Sequence, residues 1–253
     1  MNSLVIAGIV FACTFGGALL GLLLRVLLPE HHLSNESKDI VKLGTGLIAT
    51  MSALVIGLLI ASAKSDFDAR RNAFQQLSTN IILLDRSLAH YGPEAKETRA
   101  LLHRAASTLF DHIWTPQGAS AAGIGDTEIT EMGGTLYESV RNLKPSTDSQ
   151  RSIQSQALSV TAELARLRWQ LAQREQSSLP VPFLVVLMLW LTVLFMSFGL
   201  FSPVNSTVIL VLFVCAFSVA GALFLIVDMD QPFEGLIQIS SGPLRDAISQ
   251  LGK

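Results

Sequence analysis

The sequence contains little charge: only 15% of its 253 residues are Asp, Glu, Lys or Arg, whereas soluble domains carry about 25%. The deficit concentrates in four apolar blocks, and half of all residues are hydrophobic. The formal net charge is -2, which excludes a broad electrostatic attraction to nucleic acid. This composition is typical of a membrane protein with a water-exposed part.

Cysteine is also scarce, because Cys13 and Cys215 are the only two and each lies inside an apolar block. A disulfide framework or a thiolate metal site needs paired, spaced ligands, so both residues are interpreted as small apolar packing residues. Enzyme signatures are missing as well: there is no Walker loop, no Rossmann glycine pattern, no His-Glu-x-x-His and no nucleophile elbow. We therefore expect no enzyme, no cofactor and no bound metal.

Four apolar blocks are long enough to cross a bilayer core, which takes about 20 helical residues. The first runs from Leu4 to Leu28, and Arg25 lies close enough to its end to reach the headgroups. Its start carries no Lys or Arg and its apolar run is too long for a signal peptide, so we expect it to be retained. The other blocks cover residues 43–63, 179–201 and 206–227, and the last two predict an antiparallel hairpin.

These blocks predict an all-α membrane protein with four transmembrane helices and a cytoplasmic helical bundle between the second and third. The predicted parts are transmembrane helices one and two in residues 1–63, the cytoplasmic insert in 64–178, the transmembrane hairpin in 179–227 and a cytoplasmic C-terminal segment in 228–253. The basic residues that flank the insert near the membrane include Lys64, Arg70, Arg71, Arg166, Arg168 and Arg174. By the positive-inside rule, the insert and both termini then lie in the cytoplasm and the protein in the inner cell membrane.

The insert has the periodicity of packed helices. After the second block, apolar residues recur every seven positions at Phe67, Phe74, Ile81 and Leu88. The second helix is therefore expected to continue unbroken to Tyr91, where Gly92-Pro93 ends it. Three further helices are predicted in the insert. The first covers residues 94–114, the second begins at a cap formed by Asp126 or Thr127, and the third follows a break at residues 145–148.

The second block carries small and hydroxyl side chains on two neighbouring faces. One face has Gly46, Thr50, Ala53 and Gly57, and the other has Thr45, Ala49 and Ser52. Small residues allow close approach of helices, so tight packing is one interpretation, which also applies to Gly17 and Gly21 in the first block. The other interpretation is the lining of a pore, for which the plausible positions are Thr45, Ala49, Ser52 and Ile56.

The segment that follows the fourth block is the most distinctive in the chain. It contains Asp228, Asp230, Pro232, Phe233 and Gly235 within eight residues. One interpretation is a turn at the membrane surface, in which Phe233 lies in the interface and Asp228 caps a helix or pairs with Arg70 or Arg71. The alternative is a cation site that uses the oxygens of Asp228 and Asp230.

Three stretches resemble the bestrophin-like domain family of bacterial and plant membrane proteins. They are residues 65–73 (Ser-Asp-Phe-Asp-Ala-Arg-Arg-Asn-Ala), residues 80–93 with their Leu-Asp-Arg-Ser-Leu core, and residues 228–235 with 239–244. The family name implies kinship with bestrophins, which are oligomeric anion channels gated at a hydrophobic neck on the second helix. Two bestrophin features are missing. The aromatic neck of bestrophins has no counterpart, because residues 43–64 contain no Phe, Tyr or Trp. The acidic cluster that forms the calcium clasp of animal bestrophins is reduced to Asp228 and Asp230.

Two functions from different classes follow. The resemblance implies a homo-oligomeric ion channel, for anions, with the second span lining the pore in a lipid bilayer. The alternative is a non-conducting membrane scaffold or sensor that acts through its helical insert on a cytoplasmic partner. No charged residue lies in the middle of a span, so a proton relay or voltage sensor is disfavoured.

Overall fold

The part of the chain that the structure describes is helical apart from short connecting segments. A computed structural model describes residues 3–29, 35–114, 127–173, 181–231 and 235–252, and no strand occurs in these ranges. The helices there are α1 (Ser3–Leu27), α2 (Asn35–Tyr91), α3 (Lys96–Trp114), α4 (Thr127–Arg141), α5 (Asp148–Gln173), α6 (Val181–Phe201), α7 (Ser206–Asp230) and α8 (Gly242–Gln250). A short 3-10 helix (Pro93–Ala95) connects α2 to α3.

Four of these helices are long and apolar enough to cross a membrane, namely α1, α2, α6 and α7. Each of them contains or overlaps one of the four predicted apolar blocks. The helix of the fourth apolar block, α7, begins at Ser206, as predicted, but continues past Val227 to Asp230. The all-helical class and the presence of long apolar helices are thus confirmed.

The second helix, α2, is continuous over 57 residues and ends at Tyr91. The prediction that the second block continues unbroken through the heptad region is therefore confirmed. Gly92 has φ 127°, in the left-handed region that favours glycine, and Pro93 begins the next turn. Together these two residues end the helix because neither continues its backbone geometry.

The chain divides into two compact units. Unit 1 comprises residues 1–66 and 178–231, and unit 2 comprises residues 67–177 and 232–253. Within unit 1, α1 packs most extensively on α6 and also on α7. Two apolar clusters form the core of unit 1, one containing Val10, Leu191 and Leu223 and the other containing Ala18 and Phe195.

Glycines allow the close approach of α1 and α6. A Cβ added at Gly17 would lie 2.9 Å from the carbonyl oxygen of Thr192, and one at Gly21 would collide with the backbone of Met196. On the facing helix, a Cβ at Gly199 would collide with the carbonyl of Ala18. The predicted tight packing at Gly17 and Gly21 is therefore confirmed.

Unit 2 has a hydrophobic core of its own. Its fully buried side chains include Phe74, Leu84 and Leu88 from the second part of α2 and Val140 from α4. The buried side chains of α3 include Leu102, Leu109 and Ile113. The C-terminal helix α8 was not predicted, and it packs on α3 with Leu244 and Ala247 buried.

Candidate pore-lining face and juxtamembrane site

The first part of α2, residues 38–66, has one packed side and one wide exposed side. Ser52, Leu59 and Ala63 are buried, and they lie in one line along the helix. The opposite side exposes large apolar side chains, with Leu54 at 75% and Leu58 at 69%. The described residues therefore cover this part of α2 along a narrow strip only.

The four positions predicted to line a pore lie toward the packed side of α2. Thr45 is half-buried, and its hydroxyl donates to the carbonyl of Val41 at 2.8 Å. Ala49 and Ile56 each pack against an apolar cluster of unit 1, and Ser52 is buried. The lining role of Thr45, Ala49, Ser52 and Ile56 stays a prediction.

The small-residue face of α2 lies on the exposed side instead. A Cβ added at Gly46 or Gly57 would meet no atom within 4 Å, and Thr50 and Ala53 are exposed. The Thr50 hydroxyl donates to the carbonyl of Leu47 at 2.8 Å, so it is satisfied within the helix. Tight packing on this face is thus not formed with any part of the chain that the structure describes.

The exposed face of α2 has two unlike flanks. At 3.6 residues per turn, Leu47 and Leu58 form a ridge on one flank. Gly46 and Gly57 form a shallow groove on the other flank. Along the centre of the face, between ridge and groove, lie Thr50, Leu54 and Ala61.

The juxtamembrane segment places one carboxylate in the protein interior. Asp228, in the last turn of α7, is 0% exposed, and the hydroxyl of Ser3 donates to its Oδ1 at 3.0 Å. A buried carboxylate is unfavourable unless hydrogen-bonded, so this contact stabilises the packing of the start of α1 on the end of α7. Sequence reasoning missed the role of Ser3, which had no distinguishing pattern around it.

The other juxtamembrane residues are in different surroundings. Asp230 and Gly235 are half-buried, whereas Pro232 and Phe233 lie outside the described residues. In unit 2, Arg70 is buried and Arg71 is exposed. The pairing of Asp228 with either arginine stays a prediction.

The cation-site alternative gains no further ligand from the structure. Among the described residues, no group of three or more His, Cys, Asp and Glu side chains could hold a metal ion. Asp228 and Asp230 alone would leave most of the coordination sphere of Ca²⁺, which takes six to eight oxygens, to water or backbone.

An all-helical chain with four membrane-length helices and a second helical unit defines a class of integral membrane protein. Within that class, the model of the bestrophin-like domain matches residues 12–244, so the chain belongs to the bestrophin-like domain family. No protein of curated function matches the sequence significantly.

The fold is similar to that of solved bacterial proteins. A crystal structure of a bacterial bestrophin homologue from Klebsiella pneumoniae is 13% identical in sequence, with a TM-score of 0.66 over 93% of this chain and 96% of the other. The structure of a point mutant of the Klebsiella pneumoniae homologue, also 13% identical in sequence, has a TM-score of 0.67 and is matched over 95% of this chain and 99% of the other. At this identity the likeness establishes the fold alone.

Proposed function

We propose that the protein is a homo-oligomeric ion channel in which α2 of every copy surrounds a central pore. The observation that carries this proposal is the exposed face of α2, where small residues suited to helix packing have no neighbour within the described chain. Small residues in membrane helices normally lie at helix interfaces. Membership in the bestrophin-like family and the fold of the bacterial bestrophin homologue support the same assembly.

The two flanks of α2 suit a closed ring. The ridge of Leu47 and Leu58 on one copy would pack into the groove at Gly46 and Gly57 on the next copy. Such a contact joins two different surfaces, and repetition by a fixed rotation closes a cyclic oligomer. The centre of the face would then point to the axis and surround it with Thr50, Leu54 and Ala61. This proposal differs from the sequence prediction, in which the pore is lined by Thr45, Ala49, Ser52 and Ile56.

The pore so formed is apolar and contains no acidic ring. Leu54 would form a hydrophobic constriction that gates by loss of water, since residues 43–63 contain no charged side chain. Lys42 and Lys64 are exposed at the two ends of this uncharged stretch. Lys42 pairs with Asp39 at 3.8 Å, so these lysines do not decide the sign of the conducted ion. Anions are proposed as the conducted class from membership in the bestrophin-like family.

The proposed topology has four crossings, with the insert, the C-terminal segment and both termini in the cytoplasm of an inner cell membrane. The apolar helices α1, α2, α6 and α7 supply the crossings. The excess of Lys and Arg beside the insert supplies the orientation. Cysteine accessibility on the two sides of intact cells, with single cysteines placed at Ser146 and Val204, would test it.

Flux measurement tests the channel. Purified protein in liposomes should pass chloride or iodide, followed with an anion-quenched dye inside the vesicles. Leu54→Thr should increase the flux because a polar residue keeps the constriction wet. Leu189→Thr on α6, which is also exposed in the single chain, is the matched control and should leave it unchanged. Monomers in mild detergent together with no flux of any ion would refute the proposal.

The second candidate is a non-conducting scaffold or sensor that acts through unit 2. Its support is that unit 2 is compact and has its own core and cavity. Stoichiometric binding of a purified cytoplasmic protein, abolished by substitutions on the unit 2 surface and accompanied by no flux, would favour it. A water-filled path along the symmetry axis of an oligomer would count against it.

A further inference from the structure

Unit 2 contains an apolar cavity of about 360 Å³ between α2, α3, α4 and α5. This volume is within the range of about 300–1,000 Å³ that small-molecule sites occupy. The lining residues all belong to unit 2 and include the buried side chains Leu77, Ile81, Leu102, Leu109, Ile129 and Leu136. The cavity is thus separate from the proposed pore face of α2.

Two adjacent glycines help to keep this cavity open. Gly133 and Gly134 lie in the interior of α4, where each glycine is less favourable than alanine by about 1 kcal/mol. A Cβ at either position would meet no atom within 4 Å, so no close backbone approach requires glycine. Gly133 lies on the same helix face as Ile129 and Leu136, and a large side chain there would fill the cavity.

One cation lines the apolar cavity. Nη1 of Arg168 donates to Oγ1 of Thr130 at 2.6 Å. Burial lowers the pKa of the Arg168 guanidinium, and no carboxylate of the described residues offsets that burial. Arg166, two residues earlier on α5, differs because it is exposed and binds both carboxylate oxygens of Glu163, at 2.6 and 2.8 Å.

An arginine of this kind favours an anionic partner. Its guanidinium has five N–H donors in a planar fork that matches a carboxylate. Cζ of the half-buried Arg168 lies 5.2 Å from the centroid of the Trp169 ring, and no carboxylate of the described residues pairs with the guanidinium. A bound anion would replace the hydration lost on burial by charge-assisted hydrogen bonds. Apolar walls next to one such cation are complementary to a molecule that has an apolar body and one acidic end.

We propose that the unit 2 cavity is a binding site for a single-chain carboxylate. The acyl chain would lie among the apolar walls beside Gly133, and the carboxylate would accept hydrogen bonds from Arg168. The site does not depend on conduction, so its failure and that of the channel are separable.

Titration with decanoate tests the site on the full chain in lipid nanodiscs, with empty nanodiscs to subtract partitioning into lipid. Isothermal calorimetry should show saturable binding of one decanoate per chain. Arg168→Gln should weaken the binding at least about tenfold, through the loss of a charge-assisted hydrogen bond. Gly133→Leu should abolish it by filling the cavity.

Matched controls separate recognition from general damage. Arg166→Gln removes an exposed arginine of the same helix. Gly133→Ala removes a glycine without filling the cavity. Both variants should bind decanoate with the same affinity as the unaltered protein. Decanol, which has the same chain without the acid, should bind at least about tenfold more weakly. If Gly133→Leu does not fold, the comparison of Arg168→Gln with Arg166→Gln decides the outcome.

Three results would overturn the proposal: no saturable binding above that of empty nanodiscs, equal affinity for decanol and decanoate, or undiminished affinity in Arg168→Gln. Parallel flux measurements distinguish the two proposals. If the unaltered protein binds no decanoate but conducts ions, the cavity proposal alone is refuted. If it binds decanoate but conducts no ion, the channel proposal alone is refuted.

Discussion

The two parts of α2 share one helical backbone but have opposite surroundings. In residues 38–66 the buried side chains are Ser52, Leu59 and Ala63. In residues 67–91 the buried side chains are Phe67, Arg70, Phe74, Leu77, Ser78, Ile81, Leu84, Asp85, Leu88 and Tyr91. The first part therefore relies on surroundings outside the chain, and the second part relies on unit 2.

Exposure of apolar residues therefore has a different meaning in the two parts of α2. In water, an exposed leucine row would favour aggregation or a protein partner. In a bilayer, lipid covers leucine as well as protein does, so the informative residues are the small ones that allow helices to approach. On α2 those are Gly46, Thr50, Ala53 and Gly57, and they predict a neighbouring copy of the chain.

The largest effect is expected for Gly57→Leu in the first part. The added side chain has room within a single chain but would block the groove proposed to receive the next copy. We expect complete loss of the oligomer with a folded monomer, measured by mass photometry and circular dichroism in mild detergent. Gly8→Leu on α1 also has open space and should leave the oligomer intact. Retention of the oligomer in Gly57→Leu would contradict the proposed ring.

In the second part, Leu84→Ala should destabilise the folded chain itself. Leu84 is 0% exposed, and removal of a buried leucine side chain costs about 3 kcal/mol of unfolding free energy. Denaturant titration in detergent measures the change, followed by tryptophan fluorescence, to which Trp114 beside Phe74 contributes. The matched variant in the first part, Leu54→Ala, should change the unfolding free energy by no more than about 0.5 kcal/mol. Equal losses would break the contrast between the two parts.

A smaller loss is expected for Asp85→Ala, which removes an ion pair of the second part. Both Asp85 oxygens accept from Arg99, each at 2.8 Å, and the backbone N–H of Gly252 lies 3.4 Å from Oδ2. Because the carboxylate is buried, its loss should lower the unfolding free energy by about 2 kcal/mol. The same titration of Asp148→Ala is the control.

Asp148 pairs with Arg151 on an exposed surface, so its replacement should change the unfolding free energy by at most about 0.5 kcal/mol. An Asp85→Ala loss no larger than that of Asp148→Ala would show that the buried pair adds nothing. Faster proteolysis near residue 252 in Asp85→Ala would show in addition that the pair holds the C-terminal segment.

The smallest effect is the pH dependence of this contribution. Burial raises the pKa of Asp85, but hydrogen bonds from Arg99 and Gly252 and the charges of Arg99 and His103 outweigh it and lower the pKa below the ordinary 3.8. A carboxyl group whose pKa is lower in the folded state than in the unfolded state stabilises the protein at pH values above its unfolded-state pKa. This stabilisation is lost as the pH falls through its folded-state pKa. The stability difference between the unaltered protein and Asp85→Ala should be constant above about pH 5 and shrink below 3.8. A difference that persists undiminished at pH 2 would contradict this assignment.

Most helix positions were predictable because they depend on local patterns. The apolar blocks, the seven-residue period from Phe67 to Leu88 and the Gly92-Pro93 stop all lie within short windows. The helix α8 was missed because its signal is short, with Pro243 in the first turn and Leu244 and Ala247 as its only buried side chains. A nine-residue helix gives too few turns for its period to stand out.

The sites were less predictable than the helices. Asp85 and Arg99 come from different helices, and the cavity combines Gly133 of α4 with Arg168 of α5. None of these pairs has a spacing that marks it in the sequence, because each depends on how separate helices pack. Arg168 was noted only as one of several basic residues near the membrane, with no sign that it differs from Arg166.

The four apolar helices and the end of α2 at Tyr91 follow from the sequence alone, because hydrophobic length and the backbone restrictions of Gly92 and Pro93 act locally. Which small residues are already packed depends on how the helices are arranged in three dimensions. A Cβ at Gly21 would collide with the backbone of α6, whereas a Cβ at Gly57 would meet no described atom within 4 Å, although both are glycines in apolar helices. The physical reason is that a glycine permits close approach by any helix and does not select the helix that makes it.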